Sequence, residues 1–533
     1  MREDMSNEPN NIENPETTNP MAADPMMPPQ APMMPPPPQG WRGRWLRRLG
    51  GGQVTSSRTL FPRWIARDAI LTYLFALAIV SIMYSAFHLP WYYLLFGVVS
   101  VLAFFLCAYR MAKGTFSTRK RNFEKRIFWV SFVPRVVFTL VLYEVFQVYY
   151  GDAFGFENAD PTYYHDLGIY VSNMIAKGDF HFYDNISQWS GNKDIADMGY
   201  GVYLGFIYWL AGQSILIARL LKCMWSSLTV VLLYRLAKRN FGSQAARLAA
   251  VFCALWPNFW YYCTTHLKET EMVFLTVLFI EQADQMLRSR KFTAWKVIPV
   301  LLIAALIFTF RTPLGIIAIL ALVFSIVMSS SKVVTWGKRF IVGGLDIALI
   351  ITVAGNQIEE KAHGLVEQVQ TDQQKNNMEW RSQRKDGNAF AKYAGAAVFA
   401  PMILTIPFPS MAVPYEGQEL PQLLNGGNFI KNALSFFTIF AFFILVLTGE
   451  WREHLLPFSF VVGYLIVLVL STFAQSERFH QPVMPFEFMF AVYGCSLIVG
   501  NRKFKRWFIY WCVLLFVATI IWNWFKLAGR GLA

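Results

Sequence analysis

Apolar runs of about 16–23 residues, with one of 14, recur along most of this chain, most of them long enough to cross about 30 Å of hydrocarbon as a helix. They fall at 68–88, 91–110, 127–149, 214–236, 245–264, 270–287, 297–310, 313–330, 340–355, 430–448, 455–473, 483–499 and 507–525. The pattern predicts an all-α polytopic membrane protein with about thirteen transmembrane helices. Residues 199–213 are apolar but too short to cross straight, and are read as a juxtamembrane or kinked piece. A further apolar stretch, 393–413, is broken by Pro401, Pro407 and Pro409 and read as interfacial or re-entrant, since unpaired backbone is costly in open lipid.

The polar connections then set sidedness. Arg110 to Arg126 holds seven basic residues against one acidic, and RLAKRNFG, RSRKFTAWK, SSSKVVTWGKR and NRKFKRW are likewise basic. By the positive-inside rule these connections are cytoplasmic, which places the N-terminus inside as well. The loop from Gly151 to Met198 stands apart, with eight acidic and two basic residues, and falls on the outer side. Residues 1–40 are Pro-, Met- and Asn-rich and are expected to be disordered, partly as polyproline II. Residues 41–67 add seven arginines with Trp41 and Trp45, and read as a juxtamembrane segment against anionic lipid. A regulatory partner for the tail is the sharper reading of the same stretch. The first sixty residues lack an apolar core, so the first membrane helix is expected to do the targeting.

The resulting division is a tail (1–40), a basic segment (41–67), and an extra helical hairpin with its basic loop (68–126). A membrane core (127–355) follows, with its first outer loop at 150–198. A second outer loop (356–428) and the C-terminal helices (429–533) complete the chain. Composition agrees: 55% of residues are hydrophobic and 15% charged. The net charge of +14 sits in the inner connections, which leaves little to suggest nucleic acid. The six cysteines lie in apolar runs without metal-like spacing.

Fixed by Lys and Arg alone, this topology brings isolated ionisable residues to the outer boundary, where they are costly and rarely idle. Asp160 and Asp166 open the first outer loop in ENADPTYYHDLG. Lys268 and Glu269 lie in THLKETE, Arg311 in FRTPLG, and Glu477, Arg478 and His480 in SERFHQPVMP. Each has a structural alternative. Asp160 could cap a helix starting near Pro161, Lys268 and Glu269 could anchor at the interface, and Arg311 could be an anchor too.

Together the set suits a phosphate attached to a buried lipid tail, held by Lys268, Arg311, Arg478 and His480, with Arg able to grip it bidentately. A carboxylate facing such cations suits removal of a proton from an acceptor, which makes Asp160 the candidate base. Glu157, Tyr163, Tyr164, His165, Asp166 and Glu269 complete the expected substrate pocket, although helix packing explains the tyrosines equally well. Asp166 reads as structural or metal-related more than as the base. No nucleotide-binding loop or helix-spaced metal motif occurs. A divalent ion such as Mg or Mn on Asp179, Asp184, Asp194 and Asp197 is an alternative to a solvated acidic loop.

Four stretches taken in order, ENADPTYYHDLG, LAKRNFGSQAARLAA, THLKETEMVFL and SERFHQPVMPFEFMFA, resemble the GT-C superfamily of polyprenyl-phosphate-dependent glycosyltransferases. The likeness is to the branch with protein mannosyltransferases and aminoarabinose transferases, and covers roughly 127–330 and 455–500. The resemblance implies a membrane core with an outward-facing active site, a polyprenyl-phosphate sugar donor and inversion at the sugar. Sugar and acceptor do not carry over from the resemblance; a lipid, protein or glycan acceptor and residence in the inner membrane of a bacterium are expected of the chain. Asp160 matches the family's proposed catalytic acidic residue, and Arg478 a position near the lipid phosphate. The chain departs where Asp160 lacks a following second acidic residue, where Phe479 replaces tyrosine, and in its first two helices. The rival readings are a lipid-linked glycan flippase or transporter, a polysaccharide polymerase or ligase, and an assembly protein. Charges gathered at one boundary, and no evident repeated halves, weigh against transport.

Overall fold

The computed structural model describes residues 60–115, 122–155, 159–191, 195–196, 198–289, 294–329, 402–412, 422–470, 476–498 and 502–528. The expected tail, the crossing at 340–355, Glu157 and most of the second outer loop lie outside the described residues. The described part is built of helices: α1 (Arg63–Met83), α2 (Trp91–Thr115), α3 (Phe123–Tyr150), α4 (Ala159–Ala176), α5 (Phe182–Ser190), α6 (Met198–Ala211), α7 (Ile215–Leu255) and α8 (Pro257–Thr264). They continue with α9 (Glu269–Arg288), α10 (Ala294–Phe310), α11 (Thr312–Met328), α12 (Asn425–Thr448), α13 (Leu455–Leu470), α14 (Glu477–His480), α15 (Met484–Ile498) and α16 (Arg502–Ala528).

Among these, six are long and apolar enough to cross a membrane: α1, α2, α3, α7, α12 and α16. The expectation of about thirteen crossings is thus met by six helices of that length among the described residues, and the full number is not confirmed. Length is one reason, since α6, α10, α11, α13 and α15 are shorter apolar helices, and at about 1.5 Å per residue they reach less than the full hydrocarbon thickness. Charge is the other. α9 carries Glu269, Glu271, Glu281 and Asp284, all buried, with the partly exposed Arg288 at its end.

Two expected crossings, 214–236 and 245–264, fall on the two helical pieces of α7, which meet at a kink at Gly242, whose φ of 83° lies in the basic RLAKRNFG stretch. The second of them also stops early. Trp256 is extended and Pro257, which lacks an N–H and so fits a first turn, begins the separate α8. α7 is the organising rod, packed by α2, α3, α9 and α15, while α12 packs on α15, α11 on α13 and α1 on α16. One end of α9 is locked to α7: Arg239 pairs with Glu281 at 2.6 Å and with Asp284 at 2.9 Å, and Arg288 adds a 2.9 Å contact to Asp284. That lock fixes the rotation of α9, and with it the position of Glu269 at the other end.

α6 is the short piece expected at 199–213, and it lies along α4. Gly201 faces Leu167 and Gly205 faces Val171 so closely that a side chain at either glycine would collide, so the small residues set the separation of the two helices. Leu167, Val171, Ile175, Ile186 and Met198 form a small separate core that ties α5 onto this pair. The outer-loop residues thus rest on a built scaffold.

Residues 402–412, the described part of the stretch read as interfacial, are mostly buried. Their peptide groups are bonded by side chains of neighbouring helices, as buried non-helical backbone requires. Asn432 donates to Thr405 O and Pro407 O, and Lys431 donates to Ile406 O. Asn523 accepts from Met411 N and donates to Pro409 O, while Lys526 donates to Ser410 Oγ. The sequence also suggests a lid over the acceptor groove for 393–413 and its flanks, of which 402–412 is held by these bonds and the rest lies outside the described residues.

Candidate active site

The acidic loop is fixed as it leaves α3. Gly151 caps the helix in the left-handed conformation with its N–H on Gln147 O, and Asp152 Oδ1 accepts from Phe154 N and Gly155 N in an Asx turn. Arg219 of α7 donates to Ala153 O. Asp160 then falls in the first turn of α4, where the positive end of the helix dipole favours a carboxylate. The side chain reaches outward from that turn to Arg478.

Arg478 joins three parts of the fold. Its Nη1 donates to Asp160 Oδ2 at 2.6 Å and its Nε donates to Glu269 Oε1, so α14 is bridged to α4 and to the first residue of α9. The two carboxylates differ in access. Asp160 keeps 56% of its side-chain surface exposed and Glu269 only 1%. Glu269 is therefore a sealed counter-ion that aims the guanidinium, and Asp160 is the carboxylate open to a substrate. A small cavity touching Glu269 is lined by Ser226, Thr229, Phe259, Tyr262, Thr270, Val273 and Gln481.

Lys268 and Arg311 complete the cluster. Lys268 lies in the connection between α8 and α9, its Nζ donating to Phe310 O at 2.9 Å at the end of α10 and lying 5.9 Å from the Tyr164 ring. This is favourable helix-end capping, so the structural reading of Lys268 holds beside the functional one. The Arg311 guanidinium lies 4.3 Å over the Phe479 ring, and its Nη1 is buried with no hydrogen-bond partner among the described residues. An unsatisfied buried guanidinium nitrogen is a costly arrangement that an oxyanion would relieve. With Lys268 protonated, three cations face two carboxylates and leave the cluster with one excess positive charge.

Burial, reinforced by the nearby Arg311, lowers the Lys268 ammonium to about 7. A phosphate anion favours the charged form, so bound donor raises that value. Donor affinity should be greatest below about pH 7 and fall as pH rises through it, by up to about tenfold per pH unit, until the raised value is passed. A sugar phosphodiester keeps one charge throughout this range. Donor Kd measured from about pH 6 to pH 9 should show the fall in the native protein and a flat profile in Lys268→Arg, whose guanidinium does not titrate there. A flat native profile would remove Lys268 from the donor site.

The other expected residues divide. Tyr164 is buried beside Lys268 and against Tyr200, whereas Tyr163 is exposed. His165 joins a relay of hydrogen bonds, with Nδ1 2.8 Å from Tyr208 Oη, which is 3.0 Å from His266 Nε2. Burial pushes both imidazoles below their ordinary values, and for His266 the cations Lys222 and Arg219 add to the effect. Both rings are thus neutral supports for the outer turn. Asp166 is exposed on α4, away from the ion-pair cluster. His480 is not with the cations: it is buried, and its Nδ1 is hydrogen-bonded 2.7 Å from Lys431 Nζ. Residues two apart on a helical turn face different ways, so Arg478 reaching the site directs His480 away from it. Asp179 accepts from His181 and Asn185, while Asp194 and Asp197 lie outside the described residues.

Sequence reasoning passed over the residues that brace the cluster. Lys222 is fully buried, 3.2 Å from Glu271 and 3.3 Å from Tyr200 Oη, and donates to Leu267 O, which holds the turn carrying Lys268. The signal was present: Arg219 and Lys222 are one helical turn apart in the apolar ILIARLLKCMW, a pairing that apolar surroundings rarely tolerate without a partner.

These features define a helical membrane protein with a carboxylate and a cation cluster meeting at helix ends. Residues 200–355 match the family model described as dolichyl-phosphate-mannose-protein mannosyltransferase. The match supports a membrane glycosyltransferase of the GT-C type, in keeping with the resemblance read from the motifs. It includes Lys222, Lys268, Glu269 and Arg311, while Asp160 and Arg478 lie beyond its ends. No curated protein matches the chain.

Proposed function

We propose that the protein moves a sugar from a polyprenyl phosphate to an acceptor at the outer face of a bacterial inner membrane, with inversion at the sugar carbon. Asp160 takes the proton of the acceptor nucleophile as that atom attacks the sugar, and the bond to the phosphate oxygen breaks. Arg478, Arg311 and Lys268 hold the donor phosphate and stabilise the charge that it gains on leaving. The observation carrying this reading is the single guanidinium of Arg478, shared between an exposed and a sealed carboxylate beside an unsatisfied Arg311 nitrogen. A phosphate that takes hold of Arg478 competes with Asp160 for Nη1, so donor binding frees the base as it supplies the leaving group.

Reconstituted protein supplied with short-chain polyprenyl-phosphate sugars, together with a cell-envelope extract as acceptor source, tests the proposal through release of polyprenyl phosphate. No release from any donor, with donor still bound, would favour the flippase reading. The three cations supply charge that a divalent ion supplies in other phosphate sites, so release should persist in EDTA. Loss in chelator, restored by Mg or Mn, would assign part of that charge to a metal.

A further inference from the structure

Beyond Asp160, α4 carries a row of side chains that phosphate chemistry does not use. Tyr163, Asp166 and Tyr170 stand three and four residues apart, which sets them on one side of the helix. Trp189, near the end of α5, fills the space between the tyrosines: its ring centre lies 5.7 Å from Tyr163 and 5.6 Å from Tyr170, nearly parallel to the latter at 22°. Tyr163 is hydrogen-bonded to Ser190, and the Tyr170 hydroxyl donates to Asn185 O at 3.5 Å. Both anchors are on α5, which the small core under Ile186 fastens to α4. The rings are therefore held in place, yet Tyr163 and Trp189 each keep 39% of their surface open, and Asp166 is exposed on the same face.

Held, open rings at a membrane boundary have two ordinary uses. One is an aromatic belt resting among lipid headgroups. Charge argues against it here, because the loop from Gly151 to Met198 holds eight acidic and two basic residues and repels an anionic lipid surface. The other is stacking against a sugar. The electron-rich ring face attracts the weakly positive C–H face of a pyranose, and a neighbouring carboxylate accepts from its hydroxyls. Tyr163 to Tyr170 spans about 10 Å along the helix axis, enough for about two linked sugar rings. Asp160 is one turn before Tyr163, so an occupant lying along the row ends at the proposed base.

We propose that Tyr163, Trp189 and Tyr170, with Asp166 beside them, form a platform that binds the pyranose rings of a glycan acceptor and leads its end to Asp160. The proposal rests on the transferase reading for the direction of the chain, and on the platform's geometry alone for glycan binding. It is tested on the full-length protein in detergent by saturation-transfer NMR, with tetrasaccharides of glucose, mannose and N-acetylglucosamine as probes. At least one tetrasaccharide should bind, with its C–H faces saturated most strongly. Affinity should fall about tenfold or more in Trp189→Ala, as expected for loss of a stacking ring. It should recover in Trp189→Phe and weaken in Asp166→Asn.

Absence of binding by all three probes, or equal binding by Trp189→Ala, overturns the platform. So does saturation of a Ser/Thr-rich peptide in place of the glycans, which would point to a protein acceptor. Release of polyprenyl phosphate is followed in the same preparation to separate the two readings. Release without glycan binding removes the platform and keeps the transferase, whereas glycan binding without release keeps the platform and counts against the transferase.

Discussion

Replacing Asp160 with asparagine should reduce sugar transfer by about 10²–10⁴-fold, the contribution of a positioned general base. The substitution suits the question because asparagine keeps the size of the side chain and an oxygen that accepts from Arg478, while losing the basic carboxylate. Asp160 is 56% exposed, so its replacement removes no buried packing and thermal unfolding should be unchanged within experimental error. Donor should still bind, because the cations remain and one competing anion has gone. The expected signature is thus a collapse in kcat with donor Kd equal to or lower than that of the native protein. Transfer surviving in Asp160→Asn would end its role as the base and leave it a partner that positions Arg478.

That signature depends on residues whose legibility in the sequence was uneven. Asp160, Lys268, Arg311 and Arg478 were readable because each interrupts apolar sequence at a boundary set by independent charges in the basic connections. Their meeting could be inferred from sidedness, but not which carboxylate pairs with which cation. The sharing of Arg478 between Asp160 and Glu269 depends on the rotation of α9, and that is set about 20 Å away by Arg239, Glu281 and Asp284. His480 shows the same limit at short range. Its nearness in sequence to Arg478 suggested a common role, while the turn of α14 sends it to Lys431.

The fold was legible as helical and membrane-bound, because apolar length is a local property. The number of crossings was not. A run of apolar residues looks alike whether it faces lipid or fills the bundle, and α10, α11, α13 and α15 show how a short helix serves inside a larger assembly. Charge is as hard to read in α9, whose acidic residues are paired within the protein and so escape the cost that lipid would impose. The break at Trp256 and Pro257 was signalled by proline, yet a proline inside an apolar run also marks a kink, and only packing decides between them.

The largest loss of stability should follow replacement of Arg478 with alanine. Removing one partner of a buried pair leaves the other charge uncompensated, typically at a cost of about 3–5 kcal/mol, and Glu269 is 1% exposed. A fall in thermal midpoint alone would not separate a structural guanidinium from one that also holds the donor. The double replacement Arg478→Ala with Glu269→Gln does, because it removes the stranded charge along with the cation. Stability should recover substantially in the double variant, read by thermal unfolding in detergent, while donor affinity stays at least tenfold weaker than native. Recovery of both would make Arg478 a buried ion-pair residue only, and the phosphate would then have to be held by Lys268 and Arg311. Recovery of neither would show that the guanidinium is needed to join α4, α9 and α14 even when Glu269 is neutral. The expected split, stability without donor, is the outcome that a shared guanidinium demands: Glu269 fixes where it points, and the outward half remains for the substrate.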